Sequence, residues 1–456
     1  MRVSVHTIGG PATSLLRSRN FLNFWTGQTI SQLGAQLGQL AFPVLAVSIL
    51  GATEFQVGAL NAAGMAAFLV VGLPAGAWVD RWIKRRVMII ADLVRMAAML
   101  LVPALWWLHQ LQIWHLYVVA AVVGVATVFF DVSYQSFVPI LVPTKQVAEA
   151  NSKLESTSQI SRVGGPALGG FLLTLISAPL LFVGESLGYL ASALFLHRTR
   201  DQEQPHAVAD RRPLAVEIKE GLAFVAGHPL IRRIVTCTAG LNFFAAITIT
   251  MLPVLILRDL DLGAAGLGII MSVGSVGGVL GALSTPWLAR RIGEGTLIPL
   301  AAMTSTCSVV LIPVADLGHD KWISLAVLVV SDFCFNFAVL GYNIMQVSMR
   351  QRVCPPRLLG RMNASIRFIV FGVMPLSALI SGVLGQWLGL LPTLWIGGLG
   401  GFLAVAVVFF SPLRGMRKLP DTVHGGPESV EGGPDETGEP TVDGPPAARA
   451  EIDSSQ

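Results

Sequence analysis

Long apolar runs alternate with short polar breaks along most of the chain. A window of about 19 residues marks apolar segments near 21–50, 55–79, 87–108, 113–140, 153–177, 179–197, 230–257, 263–289, 296–317, 321–345, 358–386 and 388–411. About 20 apolar residues let a helix cross the hydrocarbon core of a bilayer, so the pattern predicts twelve spans. So few residues separate the fifth from the sixth, and the eleventh from the twelfth, that each pair is expected to form a helical hairpin with a tight outer turn. The first run, Phe21 to Leu50, is too long for the core of a signal peptide and lacks a clear small-residue cleavage site, so it is expected to stay as the first span.

The basic residues test this count, because a missed helix would scatter them over both faces. Of the 31 Lys and Arg, 26 lie before the first span, in the even-to-odd connections or the span ends that flank them, or after the last span; Arg17 and Arg19, Arg81 to Arg86, Arg211 and Arg212, Arg290 and Arg291, Arg350 to Arg361 and Arg414 to Lys418 are examples. Only Arg258 and Lys321 fall in outer connections, while Arg95, Arg162 and Arg367 lie within spans. The expectation is an all-α membrane protein with both termini cytoplasmic, multi-pass in a bacterial inner membrane.

Composition agrees. The chain is 53% hydrophobic and 13% charged, whereas soluble chains carry about 25% charged residues. That excludes an ordinary soluble enzyme and a disordered chain. Cys237, Cys307, Cys334 and Cys354 have no metal-ligand spacing, so neither a metal site nor a disulfide framework is expected. No Gly-rich run ends in Lys-Ser or Lys-Thr, which argues against a nucleotide-driven pump. No cofactor is expected, and the sequence pI of about 9.0 reflects topology rather than nucleic acid. Past Leu419 the chain turns rich in Gly and Pro, with nine acids from Asp421 to Asp453, and reads as a disordered acidic tail.

The stretch from about His197 to Pro229 is the longest polar segment inside the body and divides six spans from six. The expected organisation is an N-terminal six-helix bundle (1–197), a cytoplasmic linker (198–229), a C-terminal six-helix bundle (230–418) and the tail (419–456). Pro143, Asn151 and Gly170 recur as Pro355, Asn363 and Gly382, each 212 positions on; Gly76, Arg85 and Arg86 are echoed by Gly281, Arg290 and Arg291, each 205 on. Two parallel six-helix repeats are a transporter architecture with a substrate site at mid-membrane between the halves.

The segment from Gly76 to Arg86, Gly-Ala-Trp-Val-Asp-Arg-Trp-Ile-Lys-Arg-Arg, resembles the signature loop of the major facilitator superfamily, with Ile83 where that pattern usually has Gly. Gly165-Pro166-Ala-Leu-Gly169-Gly170 is similar to the core of its antiporter motif, Ser161 replacing a Gly of the fuller form. The segments Glu220 to Pro229 and Leu359 to Asn363 resemble the drug- and siderophore-efflux branch, which includes macrolide exporters. The resemblance implies that Gly76, Asp80, Arg81, Lys84 and Arg85 form a latch, with Asp80 set against the start of the eleventh helix. The positive end of a helix starting near Pro355-Pro356 is a plausible partner for that acid. Small residues in the fifth span, and Gly274, Gly277, Gly278 and Gly281 in the eighth, are expected to let helices approach closely at the repeat interface.

Charges within spans are expensive, which makes each a functional candidate. Asp92, Arg95, Asp131, Glu155 and Arg162 lie in the cytoplasmic halves of the third to fifth spans and, with Arg367 where the repeat places Glu155, are expected to form a neutralising charge network. Glu185 and Asp332 lie deep in apolar runs with no base within a turn. Either could carry an exchanged proton, because desolvation penalises the charged form, or could hydrogen-bond locally; Asp131 is the next candidate. Gln28, Gln32, Gln36 and Gln39 form one polar stripe on the first span, and Asn336 shares a face with Asp332. In lipid such groups must face protein or water, as cavity lining or as interhelical hydrogen bonds. No nucleophile, base or metal set converges as an enzyme would need. The expected function is a monomeric secondary exporter moving amphipathic small molecules such as drugs or siderophores outward in exchange for protons; the alternatives are a proton-coupled importer of a nutrient or metabolite with the same fold and, from another class, a non-transporting membrane receptor or lipid-handling enzyme.

Overall fold

The computed structural model describes residues 15–79, 81–200, 214–317, 320–355 and 358–416, and every regular element among them is helical. Six long helices come first: α1 (Arg19–Val44), α2 (Glu54–Val79), α3 (Lys84–Trp107), α4 (Ile113–Leu141), α5 (Val147–Leu172) and α6 (Ala178–Arg198). A shorter α7 (Leu214–Gly227) follows, and then α8 (Pro229–Val254), α9 (Gly263–Ile292), α10 (Glu294–Val314), α11 (Lys321–Val353), α12 (Leu359–Leu388) and α13 (Leu390–Phe409). Eleven of these are long and apolar enough to cross a membrane. With 26 residues α5 has the length, but it carries Glu149, Lys153, Glu155 and Arg162 and falls short in hydropathy. A helix of that polarity must be shielded from lipid, and α5 packs between α1 and α9.

The linker expected over 198–229 as a polar connection contains α7. Val225 is buried there with Ile231 and Val235 of α8 and Met362 and Ile366 of α12. A helix of 14 residues is shorter than a span-finding window, so hydropathy alone passed over it. Asp80 and the expected tail at 419–456 lie outside the described residues.

Helices α1 to α6 form one bundle and α8 to α13 a second, joined chiefly by two crossings, α2 against α12 and α5 against α9. Successive helices reverse direction. The α1–α2, α3–α4, α5–α6, α8–α9, α10–α11 and α12–α13 turns therefore gather at one end, the hairpin end, and the linker and remaining connections at the other, the linker end.

Both π-helical turns of the chain's described part, Leu45–Ile49 after α1 and Leu255–Asp259 after α8, lie 210 positions apart, as do the starts of α1 and α8 and of α3 and α10. The α5/α12 and α6/α13 starts are 212 apart, which agrees with the Pro143, Asn151 and Gly170 echoes. The 205-residue echo is out of register: Arg85 and Arg86 sit in the first turn of α3, but Arg290 and Arg291 end α9. Identical Pro-Val-Leu triplets at Pro43 and Pro253 precede the π-turns. Proline lacks the N–H that continues the helical ladder, and the helix widens in the next turn.

Beyond each π-turn the chain turns left-handed, at Gly51 (φ 59°) and at Asp261 (φ 47°). Aspartate is one of the few non-glycine residues that tolerate that backbone region. Lys321 Nζ holds Asp261 by donating to its carbonyl at 3.2 Å and its carboxylate at 2.8 Å. The same ammonium keeps the Asp261 carboxyl below the usual carboxylate range. At the hairpin end a single apolar cluster joins the halves through Leu45, Ala46, Leu255 and Ile256. Toward the linker end the cores separate, one around Phe21, Phe24 and Phe137 and another around Ile234, Ile298 and Met345.

Candidate functional site

Between the two bundles lies a cavity of about 810 Å3, lined from both halves. Its charged groups are Asp131 of α4, Arg162 of α5 and Asp332 of α11, and Gln36, Asn61 and Asn336 add neutral polar groups. Phe42, Phe68, Met65, Met271 and Phe335 supply apolar wall. A smaller pocket holding Gln28, Gln32 and Glu155 also includes Asp131 and continues from it. The glutamine stripe thus divides: Gln36 and Gln39 face the cavity, Gln28 and Gln32 the smaller pocket. Gln28 also donates to Ser192 Oγ at 3.4 Å.

Asp332 occupies a niche in α9. A Cβ at Gly274 would overlap its carboxylate, and Asn336 Nδ2 donates to its backbone carbonyl at 2.9 Å. Among the described residues no cation pairs with it. Glu185 differs from the expectation of an isolated acid. Tyr189 Oη donates to its Oε1 at 2.8 Å, and the Arg95 guanidinium lies 4.4 Å over the Tyr189 ring. Arg95 also lies 4.2 Å over Phe130 and pairs with Asp92. Spacing along α6 cannot show a base that comes from α3. The missing Cβ of Gly38 gives Glu185 its room on α1, and Glu185 is not part of the cavity wall. The expected charge network is accordingly two groups: Asp92, Arg95 and Glu185 are buried inside the first bundle, while Asp131, Glu155 and Arg162 lie on cavity-facing surface. Arg367 is exposed on α12, near enough for its charge to act on Asp131.

The antiporter-like motif packs in two directions. A Cβ at Gly165 would overlap Gln36, and Gly169 faces Leu40, both on α1. Gly170 approaches Gly268 of α9, where a Cβ would lie 2.6 Å from the Pro166 carbonyl. Its repeat mate is the contact of Gly58 with Gly382, where an added Cβ would lie 2.7 Å from the Gly382 Cα. The glycines expected at the repeat interface in the eighth span instead face α11 within their own half: Gly277 meets Phe333, Gly281 meets Phe337, Gly274 meets Asp332 and Gly278 meets Leu340. Gly268, about two to four turns earlier, makes the crossing.

Of the latch residues, Gly76 lies near the end of α2 and Arg81 is exposed. Lys84 is buried in the first turn of α3. Arg85 donates to the carbonyls of His197 (3.3 Å) and Thr199 (2.8 Å), fastening the end of α6 within its own half. Sequence reasoning missed the ion pair between Glu54, which opens α2, and Arg258 in the π-turn after α8. It bridges the two halves at the hairpin end. The repeated Pro-Val-Leu triplet marked that place. The two efflux-like segments also meet, through an ion pair of Glu220 with Arg361.

A two-bundle helical fold around a central cavity is the architecture of membrane transporters built from two repeats. The family model described as transmembrane secretion effector matches residues 11–425. The chain is 22% identical over 404 residues to macrolide efflux protein A of Streptococcus pyogenes, covering 88% of this chain and 97% of that one. It is 23% identical to the multidrug efflux pump Tap of Mycolicibacterium fortuitum, covering 82% and 91%. Its fold resembles a bacterial homologue of the iron transporter ferroportin in an inward-facing state, with a TM-score of 0.69 at 16% identity over 87% of this chain and 99% of that one. The chain belongs to the transmembrane secretion effector family of the major facilitator superfamily and is a multi-pass protein of the cell membrane.

Proposed function

We propose that the protein is a secondary exporter that carries amphipathic small molecules out of the cell in exchange for protons, by alternating access and as a monomer. In this reading α5 is the twelfth span, shielded by α1, α9 and the cavity, and the basic linker end faces the cytoplasm. The observation that carries it is the central cavity: apolar and aromatic walls for an amphipathic solute, with Asp131 and Asp332 exposed to the same space. Closure at the hairpin end by Glu54–Arg258, by the paired glycine crossings and by the shared apolar cluster supports a state open toward the cytoplasm. Asp332 is the favoured coupling acid, because it meets the cavity without a cation partner, whereas Glu185 is enclosed by Tyr189 and Arg95. Efflux of macrolides and other drugs is the activity named for relatives of similar length.

The test uses purified protein in proteoliposomes with an imposed pH gradient and a panel of dyes, macrolides and siderophores. Uphill movement of at least one compound counter to proton flow, with a matching alkaline or acid shift in the lumen, is expected. Movement of solute in the same direction as protons would instead make the protein an importer.

A further inference from the structure

The repeat register allows each position in one half to be compared with its mate in the other, and one location differs. In the first half the space among α1, α3 and α6 is filled by Gln28, Arg95, Glu185 and Tyr189, all buried. Their mates, 210 positions on in α8 and α10 and 212 on in α13, are Thr238, Ser305, Gly397 and Gly401. Contacts uphold this pairing: Gly38 receives Glu185 in one half, and Gly397 receives Thr248, the mate of Gly38, in the other. Four large polar side chains are thus replaced by two small hydroxyl residues and two glycines. The vacated volume is only partly refilled, by Thr248 at Gly397 and Thr306 at Gly401.

A pocket of about 230 Å3 remains there, inside the second bundle. It shares Ala245, Ile249, Val309 and Phe335 with the central cavity and so opens off it. None of its lining residues is charged. Thr238 Oγ1 and Tyr342 Oη lie 2.7 Å apart, and either can donate. Thr306 is 3% exposed, and its hydroxyl has no hydrogen-bond partner among the described residues. A buried hydroxyl left unpaired is costly, so such groups are normally satisfied by protein, water or ligand. Phe244, Phe335 and Met374 supply apolar faces beside these polar atoms. The volume is below the roughly 300–1,000 Å3 of a site for a whole drug-sized molecule, which suits one part of a larger solute.

We infer that this pocket is a substrate subsite for an uncharged ring bearing hydroxyl or carbonyl groups, while the rest of the same molecule stays in the central cavity. The inference rests on the export reading and adds the substrate class: an amphiphile with a neutral, hydrogen-bonding ring. The first bundle cannot offer such a site, because its buried charged network occupies the equivalent place.

The probes are two quaternary alkylammonium compounds alike except at the far end, one carrying a glucosyl ring and the other a cyclohexyl ring. Thr306→Val keeps the shape and removes the hydroxyl; Val339→Phe fills the pocket. Transport in proteoliposomes should show KM for the glucosyl compound raised roughly five- to tenfold by Thr306→Val, as expected for one lost hydrogen bond, with kcat and the cyclohexyl compound unaffected. Calorimetric binding to the purified protein is a readout independent of export. Wild type should prefer the glucosyl compound, and both variants should lose that preference. Equal effects on both compounds, or no preference in the wild type, would overturn the subsite. A binding preference without any transport would preserve the subsite and remove the exporter reading.

Discussion

Arg258 donates to the Glu54 carboxylate across the two halves, joining the π-turn after α8 to the first turn of α2 although the residues are 204 apart in sequence. The pair is partly exposed, with side-chain accessibilities of 40% and 20%. Pairs of this kind contribute about 0.2–1 kcal/mol, enough to bias a conformational balance without fixing it. Glu54→Gln should therefore raise the share of molecules open at the hairpin end by roughly two- to fivefold. Distances between spin labels at Gly51 and Asp261, measured by pulsed electron resonance, report this directly. The exchanged pair Glu54→Arg with Arg258→Glu should restore the original distribution; an unaltered distribution in Glu54→Gln would show that the pair does not hold the gate.

The glycine crossings carry a second expectation. A Cβ at Gly268 would lie 2.6 Å from the Pro166 carbonyl, and one at Gly58 2.6 Å from the Ala378 carbonyl, both backbone atoms with little freedom to move. Gly268→Val and Gly58→Val should each reduce transport by at least about tenfold at normal membrane insertion, because the hairpin end cannot close. Gly164→Ala is the control, since a Cβ there meets nothing within 4 Å. Normal initial transport rates in both valine variants would dismiss the crossings as closure elements.

If Asp332 is the coupling acid, Asp332→Asn should abolish uphill export driven by a pH gradient while leaving downhill exchange of substrate measurable. The amide preserves the niche at Gly274 and loses only the exchangeable proton. Vesicles loaded with labelled substrate separate the two activities. Retained uphill export would move the proton site to Asp131, the other acid on the cavity wall.

Arg95 has a structural expectation. It is 5% exposed, pairs with Asp92 and lies over Phe130 and Tyr189. Removing one member of a buried pair leaves a charge without compensation, at a cost of about 3–5 kcal/mol. Arg95→Met should lower thermal stability in detergent accordingly, and adding Asp92→Asn should recover part of the loss. A midpoint for Arg95→Met equal to that of wild type would contradict this account of the first bundle.

Much of the fold was legible because crossing a membrane is a demand on composition. Phe21 to Leu50 reads as a span whatever it packs against, and the Pro143, Asn151 and Gly170 echoes preserve the register of α5 and α12. The candidate site was legible in parts. Gln36, Asn336, Asp131 and Asp332 were named from their polarity in apolar runs, and they line one cavity. The isolation of Glu185 was misjudged because neighbours along one helix say nothing about Arg95 on another. The pairing of Glu54 with Arg258 drew no notice, since Arg258 counted only as a base in an outer connection and each residue sits at a helix end where a charge needs no explanation.

The sequence by itself determined that this chain lives in a membrane, where its long apolar segments lie, and that its halves repeat. Those properties follow from side-chain transfer free energies summed over some twenty neighbours, and summation is blind to direction. Only the tertiary structure decided which acid is enclosed and which meets the cavity, which glycines cross between the halves and which stay within one, and that the second bundle is hollow where the first is filled. Each of these depends on a side chain's bearing toward a helix far away in sequence, 204 residues for Glu54 and Arg258, and on a volume left by residues such as Gly397 and Gly401 that have no side chain to declare it.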